Sequence, residues 1–240
     1  MERYKNVDIL FEDNHILVVS KPQNMPTQAD DSNDKDLQNL LKEYLIEKYN
    51  KPGNAYLGIV HRLDRPTGGV IVFAKTSKAA ERMSEGIRNG EFDKNYLAVT
   101  VGNLKVKKQM LTNYLLKNSE TNTVRIVPQL TEGAKIARLQ YNFLENSENL
   151  NLLDIELYTG RSHQIRVQLA GQGTPIYGDS KYGSDKIKTT SALALWAYKL
   201  SFEHPVTKNK MVFISYPPET EPWKKFNIEK HLLLRYSNDD

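Results

Sequence analysis

The sequence predicts an α+β fold on a mixed or antiparallel sheet, and three observations carry that reading. Strand-like segments outnumber helix-like ones. The two kinds do not alternate as they would in a doubly wound fold. No repeat, low-complexity stretch or Pro/Ser-rich linker divides the 240 residues, so one domain over 1–240 is expected.

The first strands are Val7-Asp8-Ile9-Leu10-Phe11 and Ile16-Leu17-Val18-Val19, joined by the turn Glu12-Asp13-Asn14-His15. Lys21-Pro22 ends the second, because proline has no N–H to give the ladder. Gln23 to Asp34 reads as polar loop. Leu37, Leu40, Leu41, Tyr44, Leu45 and Tyr49 recur at helical spacing, giving an amphipathic helix to about Asn50 that Pro52-Gly53-Asn54 breaks. Gly69-Val70-Ile71-Val72-Phe73-Ala74 is a continuous apolar run, as in a strand buried on both faces. Ser77 can cap a helix to about Asn89-Gly90. Tyr96 to Val101 is a further strand, and Gln109 to Leu144 holds strands and turns, with Ala137, Leu139, Tyr141 and Phe143 alternating with polar neighbours. Leu153, Ile155 and Leu157 alternate again. Ser162 to Ala170 suits a short helix stopped by Gly171-Gln172-Gly173. Leu195–Phe202 and Met211–Ser215 form a hairpin across residues 204–210, and a last helix follows Pro222.

Composition narrows the chemistry. With 39% hydrophobic and 26% charged residues the chain is ordinary for a globular protein. No apolar run approaches the roughly 20 residues that span a bilayer, and Met1-Glu2-Arg3-Tyr4-Lys5 has no apolar segment behind it to make a signal peptide. There are no cysteines, which excludes disulfides, thiolate nucleophiles and cysteine-ligated zinc, and suits a cytoplasmic protein. Charge is unevenly spread. Residues 1–50 hold 6 Lys/Arg against 10 Asp/Glu, whereas 61–110 hold 10 against 5 and 161–210 hold 8 against 3. Two basic segments behind an acidic leader point to a polyanion-facing side.

In two segments charged residues sit where the local pattern calls for core. In Gly58-Ile59-Val60-His61-Arg62-Leu63-Asp64-Arg65-Pro66-Thr67-Gly68-Gly69-Val70, Asp64 lies between two arginines, just before a Pro/Gly turn into a buried strand. An aspartate there either bonds its own turn or is a carboxylate presented on a rigid strand end, a common place for catalytic groups. In Gly160-Arg161-Ser162-His163-Gln164-Ile165-Arg166-Val167, two arginines and a histidine lie near a helix start, where the dipole disfavours cations. An anion, either phosphate or a carboxylate, accounts for them; structural ion pairing is the alternative.

These residues carry a resemblance. HRLDRPTGGVIVFAKT, KNYLAVTVG and TGRSHQIRVQLA, with ILFEDNHILVVSKPQNMPT, PIYGDSKYG and FEHPVTKNK, resemble the pseudouridine synthases of the large-subunit rRNA and tRNA type, in order and spacing from about residue 7 to 218. The resemblance implies a mainly antiparallel mixed sheet with an RNA-binding cleft, and no metal or organic cofactor. It makes Asp64 the essential carboxylate, Arg166 its ion-pair partner and Tyr96 the aromatic stacked on the flipped base. Arg62 would help fill the space vacated in the RNA and Ile165 would line the pocket. His61, Arg65, Arg161, His163 and Gln164 join them as RNA-contacting candidates. Many relatives carry an S4-like RNA-binding module before the catalytic domain. With a first strand at about Val7, none is expected here, and a monomer acting on rRNA or tRNA, with no membrane partner, is the expectation.

The chemistry needs these types. Pseudouridine forms when N1–C1′ breaks, uracil turns and C5 bonds to C1′, so the base must leave its stack. Asp64 could act on C1′, add to C6 or remove the C2′ proton, and the sequence leaves all three open. In each the carboxylate must stay ionised although burial raises its pKa, which an opposed arginine reverses. The Tyr96 hydroxyl could take part in proton transfer at C5. Two rivals remain: a ribonuclease using His61 and His163 as base and acid, and a non-catalytic RNA-binding module. The first leaves Asp64 and Tyr96 without roles; the second would lack the carboxylate or its arginine, and both are present.

Overall fold

The computed structural model describes residues 2–183 and 191–236, so Lys186 and Lys188 of the second basic segment lie outside the described residues. In chain order its strands are β1 (Glu2–Tyr4), β2 (Val7–Glu12), β3 (Ile16–Lys21), β4 (Gly58–Ile59), β5 (Gly68–Ala74), β6 (Asp93–Val101), β7 (Lys108–Asn118), β8 (Thr123–Val127), β9 (Lys135–Ser147), β10 (Leu150–Leu157), β11 (Leu195–Glu203) and β12 (Lys210–Ile214). The helices are α1 (Leu37–Tyr49), α2 (Ser77–Asn89), α3 (Gln164–Gly171) and α4 (Ile228–Tyr236), with a 3-10 turn at Trp223–Lys225. The chain clusters into two compact units, Met1–Lys94 with Trp196–Tyr216, and Asn95–Leu195 with Pro217–Asp240.

In the first unit β2 and β3 pair antiparallel, β3 pairs with β5, β5 runs parallel to β11, and β12 returns antiparallel to β11. That one parallel step makes the sheet mixed. Every residue of β5 is buried, as its unbroken apolar run predicts. Ile16, Val18, Val70, Val72, Leu200 and Phe202 form one core with Ala79 and Met83 of α2, and Phe92 stacks on Phe202 at 4.9 Å. The glycine pair opening β5 has a steric origin. A Cβ on Gly68 would stand 2.1 Å from the Trp196 ring, and one on Gly69, at φ +116°, 2.1 Å from the Ala197 carbonyl oxygen. α2 is capped by Thr76 rather than Ser77, because the Thr76 hydroxyl is the one that accepts from the Ala79 N–H. Nothing in the sequence pattern marks β1, which has three residues and a largely exposed face.

The second unit is an antiparallel sheet in the order β6-β10-β9-β7-β8. α3 lies on one face, where its Val167 meets Leu115, Val124 and Ala137. The sequence predicts alternation along β10, yet Asn151, Leu152 and Asp154 are as buried as Leu153 and Ile155, because both faces of β10 are covered. α3 begins at Gln164, two residues later than Ser162, since His163 takes a left-handed backbone at φ 52° and cannot be helical. Among the described residues no helix is long and apolar enough to cross a membrane.

Candidate active site

Asp64 sits half-buried on the loop between β4 and β5 of the first unit. Three side chains of the segment after β3 and at its end hold that loop. Lys21, wholly buried at the end of β3, donates to the carbonyls of Pro22 (3.0 Å), Met25 (2.7 Å) and Arg65 (3.0 Å). The Gln23 amide donates to Pro66 O at 3.1 Å, and the Thr27 hydroxyl to Leu63 O at 2.9 Å. The turn closes main chain to main chain, Thr67 N–H onto Asp64 O at 2.9 Å. Carbonyls on both sides of Asp64 are thus fixed by side-chain donors, which is how a scaffold holds a reactive group to a fraction of an ångström. Burial pulls the Lys21 ammonium down to about 7, opposed by the negative charge of Asp64. Its three carbonyl acceptors match the three donors of the charged form.

The flanking candidates separate in this unit. Arg62 is exposed. Arg65 turns to the acidic leader, bonding Ser32 at 2.9 Å and pairing with Asp34 and Asp30. Arg65 thereby brings positive charge to the leader from outside it, as Lys75 does in pairing with Glu12, while Glu2 with Lys48, Glu43 with Lys5 and Glu12 with Lys48 pair within it. His61 keeps some accessible surface, but its Nε2 accepts the Val72 N–H at 3.2 Å. Burial, with Lys94 nearby, lowers it to about 3. It is a neutral acceptor inside the sheet.

In the second unit the left-handed His163 starts α3 and turns Arg166 into a buried site. The guanidinium grips Asp179 with two parallel bonds, Nε to Oδ2 at 2.8 Å and Nη2 to Oδ1 at 2.7 Å, with side chains 6% and 1% exposed. Burial would raise the Asp179 carboxyl; Arg166 and the Tyr182 and Lys181 N–H groups hold it below its ordinary value instead. Tyr182 lies under the guanidinium at 5.2 Å, accepts the Val124 N–H, and bonds His163 Nδ1 at 2.7 Å. Gln164 is buried and bonded to the chain around it: its oxygen accepts from the Thr159 hydroxyl and Arg161 N–H, and its amide donates to Arg138 O. Arg161 Nε donates to Ile136 O at 3.0 Å. Ile165 is buried in α3, and Tyr96 is buried on β6 opposite Ile155.

Sequence reasoning missed Lys21, Gln23 and Thr27 as supports of the Asp64 loop, and Asp179 and Tyr182 as supports of Arg166. The available signals were a lysine ending an apolar strand, and Asp179 and Tyr182 inside PIYGDSKYG. Among the described residues no group of three or more His, Asp or Glu is placed to hold a metal ion.

Residues 15–171 match the family described as RNA pseudouridylate synthase. The chain is 34% identical over 213 residues to "Uncharacterized RNA pseudouridine synthase YhcT" of Bacillus subtilis, a match covering 87% of this chain and 68% of that one. It is 32% identical over 217 residues to "Ribosomal large subunit pseudouridine synthase C" of Haemophilus ducreyi, covering 87% and 65%. The match thus spans about two thirds of the length of these curated relatives. Among solved structures, "Human RNA Pseudouridylate Synthase Domain Containing 4" superposes with a TM-score of 0.74 at 22% identity over 96% of this chain and 93% of that one. "Human RNA Pseudouridylate Synthase Domain Containing 1" does so with 0.72 at 23%, over 92% and 88%. These two share the α+β fold of this chain.

Proposed function

The chain belongs to the RNA pseudouridylate synthase family, and from that premise we propose that it isomerises uridine to pseudouridine in RNA, with Asp64 as the essential carboxylate. The observation that carries the reading is the pinning of the 63–67 loop by Lys21, Gln23 and Thr27, all from a segment that otherwise reads as strand end and loop. A turn needed only to connect two strands has no use for a buried lysine, whose desolvation costs several kcal/mol. The reaction leaves the composition of the nucleotide unchanged: the N1–C1′ bond breaks, the C5–C1′ bond forms, C5 loses a proton and N1 carries one. Asp64 enters by attack at C1′, by addition to C6 or by taking the C2′ proton. The target base is flipped from its stack to reach it.

By resemblance Arg166 is the arginine of the catalytic machinery, with Asp179 and Tyr182 orienting its guanidinium. Tyr96 stacks on the base, Ile165 supplies apolar lining, and Arg62 enters the space the base vacates. His163 and Arg161 contact RNA at the edge of α3. His61 and Gln164 support these residues from within the fold. Structured ribosomal RNA is the favoured substrate, because several relatives carry the name ribosomal large subunit pseudouridine synthase C. The protein works as a cytoplasmic monomer in a single catalytic domain. The ribonuclease alternative is disfavoured by His61, whose Nε2 is committed to a backbone N–H.

Asp64→Asn is the test. Asn keeps the shape and the turn but can serve neither as nucleophile nor as base. Tritium release from C5-labelled RNA should vanish, with the melting temperature and RNA affinity retained. Turnover near that of the unmodified protein would reject the assignment.

A further inference from the structure

α3 covers one face of the second unit's sheet, and the opposite face is open across β8, β7 and β9. The register decides which residues stand on it. Thr112 pairs with Arg138, Met110 with Gln140, Tyr114 with Ile136 and Leu116 with Arg125, all of opposite parity to Leu111, Leu115 and Ala137, which are buried. Tyr158 continues this face beyond β10, its N–H bonded to Arg138 O at 3.2 Å. Lys108, Arg125 and Arg138 are exposed there, and none of the three forms an ion pair among the described residues. Met110 and Tyr158 are 47% and 46% exposed. Two acidic side chains share the face at β10: Glu156, which the Tyr158 hydroxyl engages, and Asp154, which is wholly buried.

We propose that this face is a second RNA-binding surface, taking a single-stranded segment of the substrate outside the catalytic loop. Three cations without carboxylate partners among the described residues, set beside the exposed Tyr158 and the half-buried Tyr114, complement a polyanion that has flat π-faces to offer. An open antiparallel sheet with a helix behind it and aromatics in front suits unpaired bases, which stack on tyrosine rings and guanidinium planes without base-specific bonds. A duplex hides its base faces and could use only the charges. The proposal rests on the reading that the chain acts on RNA, and it uses residues other than those of the pinned Asp64 loop.

The probe is a fluorescein-labelled 12-mer of adenylate, which offers no uridine to the catalytic loop, followed by fluorescence anisotropy at several salt concentrations. Arg125→Glu and Arg138→Glu should each weaken binding roughly tenfold or more, and flatten the log–log salt slope by about 0.7 for each phosphate no longer neutralised. Tyr158→Ala should weaken it roughly tenfold, and Tyr158→Phe should restore it, since a ring without the hydroxyl still stacks. Near-UV circular dichroism confirms that each variant is folded. Affinities equal to the parent's in all of these variants would overturn the proposal. So would sedimentation showing that they dissociate a dimer while the RNA affinity stands, because a second copy would then cover the face. Asp64→Asn assayed alongside keeps the two readings apart: its turnover judges the catalytic assignment, and its adenylate affinity should match the parent's.

Discussion

Arg166 shows how a single side chain is set up for a task. Its guanidinium is held flat by two bonds to Asp179 and backed by the Tyr182 ring, and Asp179 is itself fixed by the Tyr182 and Lys181 N–H groups. Removing one member of such a buried pair leaves an uncompensated charge and typically costs about 3–5 kcal/mol. Arg166→Ala and Asp179→Ala should therefore both lower the urea midpoint, and both should reduce turnover more than the fall in stability alone explains. Lys107→Ala, on an exposed lysine, should leave the midpoint in place, weaken RNA binding modestly and lessen its salt dependence. An unchanged midpoint and rate in Asp179→Ala would show that the pair does not support the site.

At the scale of elements, the start of β5 couples the candidate loop to the sheet. Gly68 lies under the Trp196 ring and Gly69 against the Ala197 carbonyl, so β5 and β11 approach more closely than side chains allow. Gly68→Ala pushes on a ring that can be replaced, whereas Gly69→Ala combines a backbone clash with a positive φ that alanine disfavours. Gly68→Ala should cost about 1–3 kcal/mol, as overpacking does. Combined with Trp196→Leu, it should cost clearly less than the two single changes added together, a coupling that a double-mutant cycle in urea measures. Gly69→Ala should show no such relief. Strict additivity for the Gly68 pair would mean that the ring is not what excludes a side chain.

For the molecule as a whole, acid stability and substrate form are the accessible tests. Glu12 is nearly buried, and burial would raise its pKa. Lys75 and Lys48, with the Tyr49 and Tyr44 hydroxyls, lower it instead from 4.5 to about 2. A carboxylate depressed on folding contributes stability that is fully present above its unfolded value and is lost as pH falls through the folded one. Asp179 acts in the same direction. The urea midpoint should thus hold down to about pH 5 and decline toward pH 2, and Glu12→Gln should flatten part of that decline. A midpoint indifferent to pH over this range would contradict the network. As to substrate, sequence-specific RNA recognition targets bases that can be splayed from loops. A short stem-loop holding the target uridine should be turned over, and a fully paired duplex of the same sequence should not, at matched salt. Equal rates on both, or turnover only on whole ribosomal subunits, would refute this.

What the sequence determined alone is what near neighbours decide. The strands of the first hairpin, the helix from Leu37, the buried run of β5 and the hairpin before and after residues 204–210 all follow from spacing and turn residues. The candidate loop was legible too, because Asp64 stands in a motif whose residues are contiguous. Tertiary structure decided the partners. Lys21 meets Arg65 across 44 residues of chain, and Arg166 meets Asp179 across 13. Such pairings depend on which strands lie side by side and in what register, a property no local window contains. The same holds for the start of α3. Ser162 and His163 have no feature that forbids helix, and the left-handed turn at His163 is imposed by the bonds its side chain and Gln164 make to distant residues. Periodicity registers how a segment can fold. Which buried charge is matched to which depends on the whole chain, because only the assembled fold removes the water that would otherwise satisfy them.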